Sequence, residues 1–167
     1  WLELNKGFDV LARALGRASA SPSFGRRPWR WVIVSAGPYR SHIERSVSEA
    51  GIAAQTMFAG RVSEGDLHGW YEAASLFVHP TRYEGSSLVT LEAMAHRRPI
   101  VATNAGGLPD KVRPGVNGWL TEPEDTEALA AALEQALSDD ARLKAMGEAS
   151  RAIVEQGFSW SVIADRQ

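Results

Sequence analysis

Short apolar runs alternate with amphipathic stretches along the chain, and this alternation predicts its fold class. The runs WVIV, LFV and IVA are almost continuously hydrophobic, as in strands buried on both faces of a parallel sheet. Five strands are predicted, at Trp31–Ser35, Thr56–Ala59, Ser75–His79, Pro99–Thr103 and Gly118–Thr121. Because strands that alternate with helices form right-handed crossovers, the pattern predicts an α/β fold with a doubly wound parallel sheet.

Apolar spacing and capping residues predict the helices. The first has an apolar stripe made of Phe8, Leu11, Ala14 and Leu15. Ser63 and Asp125 are predicted N-caps of two more, and another runs from about Asp139 to Gly157. A last helix is predicted to begin within FSWSVIADRQ. The segment Ser19–Pro28, rich in Ser, Pro, Gly and Arg, is predicted to be an exposed loop.

Composition narrows the class of protein. The 167 residues fit one domain with a substantial core, and the net charge of -2 gives no basic footprint for nucleic acid. The absence of cysteine excludes disulfides and thiolate chemistry and fits a reducing compartment. No apolar run approaches the roughly 20 residues that span a bilayer, and no signal peptide is evident. The chain opens almost directly into a helix, so a first strand is expected to be absent or cut short, and the helix that begins in its last residues has no terminator. We therefore interpret both ends as cuts inside a larger protein.

The loops after the strands are where a ligand site is expected, because open parallel sheets bind ligands beyond the carboxyl ends of their strands. The loops at 36–38, 60–62, 79–87 and 104–107 all contain glycine or polar residues. This composition is equally typical of ordinary turns. The third loop is distinctive, since EGSSLVTLEAMA has Gly85, Ser86 and Ser87 where a helix begins. Free amides at a helix N-terminus suit a diphosphate, although either serine could simply cap the helix.

Two carboxylates, Glu84 and Glu92, flank the start of this helix. If most of the interval is helical, they lie roughly 12 Å apart, given a rise of about 1.5 Å per residue. Glycosidase carboxylates lie about 5 to 9.5 Å apart across one bond. The pair is therefore better suited to two distant parts of one ligand, such as the hydroxyls of a sugar and of a ribose.

Other chemical signatures are missing from the sequence. There is no dinucleotide-binding glycine fingerprint, phosphate-binding P-loop or nucleophile elbow. The four histidines lack metal-ligand spacing, and each is predicted to be a surface or packing residue: His42, His68, His79 and His96.

Ordered motifs over nearly the whole chain resemble the C-terminal domain of family 4 retaining glycosyltransferases, also described as glycosyl transferases group 1. They are NKGFDVLARAL, WVIVSAGPYR, FAGRVSEGDLHGWYEAASLFVHPTRYEG, EGSSLVTLEAMAHRRPIVATNAGGLPDKVRPGVNGWL and FSW. The resemblance implies a Rossmann-like domain that forms one half of a GT-B enzyme. Residues 1–167 would then be a single nucleotide-sugar-binding domain, without the N-terminal acceptor domain of the same enzyme.

The resemblance also implies roles for individual residues. Glu84 and Lys6 would be catalytic, with Glu84 binding the transferred sugar and Lys6 the donor diphosphate. The amides of the helix start would share the diphosphate, at Gly85, Ser86, Ser87 and Leu88. Glu92 would bind the ribose. The base would lie against Gly37, Pro38, Arg61 and Val62.

The implied reaction is transfer of a hexosyl group with retention of configuration, without a metal ion or other cofactor. The isolated domain is expected to be inactive. A cytoplasmic location is implied, and the parent enzyme could associate peripherally with the membrane face, since many relatives use lipid-linked acceptors. Ser86 and Ser87 depart from the family's bulky residue and glycine, which puts the pocket shape near the sugar in doubt. Two alternatives stay open: a nucleotide-sugar epimerase of the same architecture, and a non-catalytic nucleotide-binding module.

Overall fold

The computed structural model describes residues 1–25 and 27–158, which form an α/β architecture with helices on both faces of parallel strands. The helices are α1 (Phe8–Ser19), α2 (Pro22–Gly25), α3 (Arg40–Glu49), α4 (Glu64–Ala73), α5 (Leu88–Ala95), α6 (Thr126–Leu137) and α7 (Asp140–Gly157). The strands are β1 (Trp31–Ile33), β2 (Thr56–Phe58), β3 (Phe77–His79), β4 (Ile100–Thr103) and β5 (Gly118–Thr121). Two 3-10 turns, Leu4–Lys6 and Ala53–Gln55, complete the regular structure of this part of the chain.

All five predicted strands are present and all pair in parallel, but they form two ladders. β1 pairs with β2, and β4 lies between β3 and β5. Within residues 1–25 and 27–158, no ladder joins β1 to β3. The predicted α/β class and parallel pairing are therefore confirmed, while the expected single sheet is divided at its centre.

Two apolar cores cover the opposite faces of the strands, because successive strand residues point to opposite sides. Val101 packs into a core with α1, α3 and α6, which includes Leu11 and Leu133. Ile100 packs into the other core, with Met94 from α5 and residues of α4 and α7. This two-sided covering explains why the strands read as continuous apolar runs.

The predicted helix starts are confirmed by their capping bonds. The Ser63 hydroxyl accepts from the Asp66 amide at 3.1 Å, and Asp125 and Asp139 cap α6 and α7 in the same way. Residues 159–167, where a last helix was predicted, lie outside the described residues.

The predicted exposed loop at Ser19–Pro28 is wrong in part. α1 continues to Ser19, and Pro22 opens the short helix α2, a position where its missing amide hydrogen costs nothing. Phe24 is buried and its ring lies 5.5 Å from that of Trp29. One apolar anchor thus orders a segment whose composition is otherwise typical of a loop.

Candidate functional site

The segment before α1 crosses the carboxyl ends of β1 and β3. The Leu2 amide donates to the Ala36 carbonyl at 3.2 Å, and the Asn5 carbonyl accepts from the Arg82 amide at 2.7 Å. Gly7 has φ +64, and a Cβ there would lie 1.9 Å from the Pro80 carbonyl oxygen. Only glycine allows this approach, which brings the neighbouring Lys6 against the loop after β3.

Lys6 and Glu84 are 78 positions apart in sequence and form an ion pair in the structure. Lys6 Nζ lies 3.1 Å from Glu84 Oε2, and the Glu84 side chain is 14% exposed. Glu84 Oε1 accepts from the Gly85 amide at 3.1 Å. The two residues to which sequence resemblance gave catalytic roles therefore meet at the carboxyl edge of β3.

His79, predicted to be a surface or packing residue, is buried inside this cluster. Its Nε2 lies 3.2 Å from Glu84 Oε2, and its Nδ1 lies 2.9 Å from Thr90 Oγ1 and 3.1 Å from Ser87 Oγ. Because a carboxylate only accepts, the proton is assigned to Nε2, and Nδ1 then accepts from a hydroxyl. His79 thus packs in the interior and also orients Glu84. Its place at the end of an apolar strand, where a ligand edge is expected, could have indicated the second role.

Burial lowers the pKa of His79 to about 4, and the positive charge of Lys6 acts in the same direction. Glu84 opposes this shift but does not overcome it. His79 is therefore neutral at pH 7, which keeps the Nε2–H directed at Glu84 without adding a second positive charge beside Lys6.

A second ion pair, not identified from the sequence, fixes the loop after β3 to α1. Both terminal guanidinium nitrogens of Arg82 donate to Asp9, Nη1 at 2.9 Å and Nη2 at 2.8 Å. Arg82 also contacts Glu124 and the Leu4 carbonyl. Burial alone would raise the pKa of Asp9, but the hydrogen bonds and charge of Arg82 outweigh it and lower that pKa. Asp9 is a buried acid in the first turn of α1. An acid at that position was the one sequence feature that could have indicated this ion pair.

The N-terminus of α5 faces the same edge. The buried Ser87 hydroxyl accepts from the Thr90 amide at 3.3 Å, so Ser87 caps the helix, as one of the two sequence interpretations proposed. In the described part of the chain, the Leu88 and Val89 amides, at the first two helical positions, have no acceptor. Ser86 and Gly85 are exposed beside them. The loop thus presents main-chain donors next to Lys6.

Gly106 fixes the back of this loop. It has φ +53, and a Cβ there would lie 1.5 Å from the Glu84 carbonyl oxygen. The neighbouring Gly107 amide donates to the Gly85 carbonyl at 3.0 Å. The loop after β4 therefore supports the main chain of the Glu84 loop directly.

Glu92 lies further along α5 and is exposed to solvent. Its Oε2 accepts from the Tyr71 hydroxyl on α4 at 2.9 Å, and burial together with this bond raises the pKa of Tyr71. α5 begins at Leu88, so only part of the interval from Glu84 is helical. Among the described contacts, no hydrogen bond joins Glu84 to Glu92, and the two carboxylates have separate partners.

The turn after β1 forms the other end of the edge. A Cβ on Gly37 would lie 2.5 Å from the Leu2 main chain, and Pro38 beside it is exposed. After β2, the exposed Arg61 guanidinium stacks 4.6 Å from the centre of the Trp1 ring, followed by half-buried Val62. These four residues share the edge with Glu84, but no contact in the described residues joins them to it.

The arrangement provides a lysine and helix-start amides, which attract anions, and two separate carboxylates, which accept from hydroxyls. Across the described ranges, no group of three or more His, Asp or Glu side chains is arranged to hold a metal ion. None of the helices described is both long and apolar enough to cross a membrane.

Comparison with known proteins gives a family. Residues 2–139 match the family model described as Glycosyl transferases group 1. The chain belongs to this family. Its architecture also matches the C-terminal domain of a glycosyl transferase group 1 family protein (LpcC) from Francisella tularensis, with a TM-score of 0.82 and 25% identity. That match covers 95% of this chain and 83% of the other, so the predicted Rossmann-like GT-B half is confirmed.

The chain is also similar to two longer proteins whose ligands or donors are known. The GDP-mannose-dependent monoacylated alpha-(1-6)-phosphatidylinositol monomannoside mannosyltransferase of Corynebacterium glutamicum is 33% identical over 96% of this chain. Anabaena Alr3699/HepE, solved in complex with UDP, is 25% identical over 99% of this chain with a TM-score of 0.85. The chain spans 42% of the first protein's length and 44% of the second.

Proposed function

We propose that residues 1–167 form the donor-binding domain of a retaining hexosyltransferase. The domain binds a nucleoside-diphosphate sugar at the carboxyl edge of its strands, and an acceptor domain in the same polypeptide completes the active site. The observation that carries this proposal is the contact of Lys6 with Glu84 beside the free amides of α5.

Each part of the donor has a group suited to it. The diphosphate lies between Lys6 and the amides of Gly85, Ser86, Ser87 and Leu88, where a cation and the helix dipole favour negative charge. Charge grows on the leaving diphosphate during transfer, so these pre-oriented groups stabilise the transition state more than the ground state. Glu84, held by His79, accepts from hydroxyls of the sugar, and Glu92 accepts from the ribose.

The base lies at the other end of the edge, between the Gly37-Pro38 turn and Arg61-Val62. This assignment is supported by the shared edge of β1 and β2, since their carboxyl ends adjoin. One relative is GDP-mannose-dependent and another was solved with UDP, so the comparisons favour GDP or UDP as the nucleotide without choosing between them. No metal ion enters the proposed reaction.

We place the enzyme in the cytoplasm, at the membrane face. The support is the acceptor named for the Corynebacterium relative, a phosphatidylinositol mannoside, which is a membrane lipid. A peripheral location would bring a donor-binding domain of this kind to such an acceptor.

Calorimetric titration with GDP, UDP and ADP tests the donor assignment. One nucleotide should bind, and Glu92→Gln and Lys6→Ala should each weaken it about tenfold or more, since a hydrogen bond to a charged group contributes about 1.5 to 3 kcal/mol. The matched controls are Glu49→Gln on α3 and Lys144→Ala on α7, both exposed and outside the edge. Equal effects of the site and control variants would contradict the proposal.

A further inference from the structure

Two histidines that are 28 positions apart in sequence meet on the surface of the domain. His68 Nδ1 lies 2.9 Å from His96 Nε2, and the two ring centres are 5.0 Å apart. His68 is exposed in α4, and His96 is half-buried directly after the last residue of α5. The pair therefore lies at the opposite end of α5 from the Gly85 loop. Its members come together only on folding, which is why their spacing in sequence resembles no metal motif.

The His96 ring is held in place by its neighbours. The Tyr71 ring stacks on it, with the ring centres 5.4 Å apart and the planes 16° from parallel. The Tyr71 hydroxyl is in turn bonded to Glu92, whose carbonyl accepts from the His96 amide at 3.1 Å. A side chain that is already fixed by packing loses little conformational freedom when it binds a ligand. His96 is thus a pre-oriented partner for the more mobile position of an exposed side chain, His68.

The separation of the two rings suits a metal ion between them. An ion bonded to both nitrogens at about 2.0 to 2.1 Å, with an angle between about 90° and 109° at the metal, holds the nitrogens about 2.9 to 3.4 Å apart. The same geometry places the ring centres about 4.5 to 5.2 Å apart. The observed 2.9 Å and 5.0 Å both lie in these ranges. Rotation of the two side chains is therefore sufficient, with no movement of the main chain.

The protonation state of His96 also suits a metal ligand, since imidazole must be neutral to bind a metal ion. Burial lowers the pKa of His96, and the neighbouring His68, Arg98 and Arg151 act in the same direction. Glu72 opposes this shift without overcoming it. At pH 7 His96 is therefore neutral, and a change of tautomer is enough to give its Nε2 a free lone pair.

The charged side chains near the pair determine which class of ion it selects. Glu72 on α4 attracts a cation, whereas Arg98 and Arg151, which donate to the carbonyls of Ala74 and Ala95, repel one. Because charge alone does not favour a cation here, an ion binds through its bonds to imidazole nitrogen. Such bonds suit transition metals, while Mg²⁺ and Ca²⁺ prefer oxygen ligands.

We propose that His68 and His96 form a binding site for a divalent transition-metal ion such as Ni²⁺ or Zn²⁺, held by His68 Nδ1 and His96 Nε2. Among the described residues, no third His, Asp or Glu side chain completes a larger group, so water fills the remaining positions. The ion joins α4 to α5 at the end of α5 that lies away from the carboxyl edge. This inference does not depend on the nucleotide-sugar proposal.

Calorimetric titration of the untagged chain with NiCl₂ and ZnCl₂ at pH 7.5 tests the site. One ion should bind per chain, and MgCl₂ should give no binding. His68→Gln and His96→Gln should each weaken Ni²⁺ binding at least tenfold, since the loss of even an outer-shell partner of a ligand costs about 10- to 100-fold in metal affinity. His42→Gln, which removes a histidine of α3 outside the pair, is the matched control and should bind as the parent chain does.

NMR of the ¹⁵N-labelled imidazoles identifies the nitrogens that bind. Added Zn²⁺ should shift the His68 Nδ1 and His96 Nε2 signals together and leave those of His42 unchanged. Because an ion that binds only the folded chain stabilises it, Zn²⁺ should also raise the urea midpoint of the parent chain but not that of His68→Gln.

Failure of the parent chain to bind either ion would overturn the proposal. So would an unchanged Ni²⁺ affinity in both His68→Gln and His96→Gln, because the ion would then lie elsewhere. A loss confined to one of the two variants would also contradict it, since a single histidine would then be sufficient.

Discussion

The two ends of the carboxyl edge are built differently. Around Glu84, charged and polar side chains are buried and bonded to one another, with His79, Ser87, Thr90 and Lys6 in one network. Around Arg61 and the Gly37-Pro38 turn, the shape comes mainly from main chain, and the charged Arg61 side chain is exposed. In the proposed function, the diphosphate and the sugar would therefore meet side chains fixed in position, and the base would meet a surface shaped mainly by main chain.

The largest expected effect is on the free energy of unfolding, which should respond differently to loss of a charged group at the Glu84 end and at the Arg61 end of the edge. Asp9→Ala leaves Arg82 without its main buried partner and should lower the free energy of unfolding by about 2 to 3 kcal/mol, below the usual 3 to 5 for fully buried pairs because Arg82 is partly exposed. Arg61→Ala should change it by less than about 0.5 kcal/mol. Urea unfolding at pH 7 measures both. Similar losses for the two variants would remove the contrast between the ends.

The pH dependence of stability tests whether His79 is buried and neutral in the network around Glu84. Its pKa is about 4 when folded and about 6.5 when unfolded, so the unfolded chain binds more protons between these values. His79 therefore makes stability fall as the pH drops from about 6.5 to 4, by roughly 2 to 3 kcal/mol in total. His79→Gln, neutral throughout, should show a flatter decline over that window.

Urea midpoints at half-unit pH intervals measure this slope. His42→Gln, on α3 outside the network, is the control and should follow the parent chain. A parallel decline of His79→Gln and the parent would mean that His79 is not held neutral by the fold.

The two serine N-caps, Ser87 and Ser63, allow a comparison of a buried and an exposed hydroxyl. Ser87→Ala loses the cap of α5 and a bond to His79, and should cost about 1.5 to 2 kcal/mol. Ser63→Ala removes the exposed N-cap of α4, which follows Arg61 and Val62. It should lower the free energy of unfolding by about 0.5 to 1 kcal/mol. Equal costs in urea unfolding would show that Ser87 acts only as a cap.

The fold was largely predictable because local patterns determine it. Apolar runs located every strand, and Ser63, Asp125 and Asp139 located helix starts. The order in which the strands pair was not predictable from such patterns, since periodicity indicates that a strand exists but not which neighbour it pairs with. α2 was missed because Phe24 acts through a tertiary contact with Trp29.

Residues of the candidate site could be proposed where a motif surrounds them, but the partners that they contact could not. Glu84 and Lys6 were identified from the resemblance, and the structure brings them into contact across 78 positions. His79 is buried as a packing residue, but its bonds were not predicted because they depend on Glu84 and Ser87, which fold back onto it. The pairing of Asp9 with Arg82, 73 positions apart, left no local signal beyond an acid in a first helical turn.

The proposed function rests on binding of a diphosphate by the start of α5 and Lys6. An NMR titration of the ¹⁵N-labelled chain with GDP and UDP, each compared with its monophosphate and nucleoside, tests it most directly. We expect saturable shifts of the Gly85, Leu88 and Val89 amides with one diphosphate and much weaker shifts with its monophosphate. Lys6→Ala should weaken the affinity that these shifts report by about tenfold or more. Shifts confined to Gly37 and Arg61, equal for diphosphate and nucleoside, would contradict it.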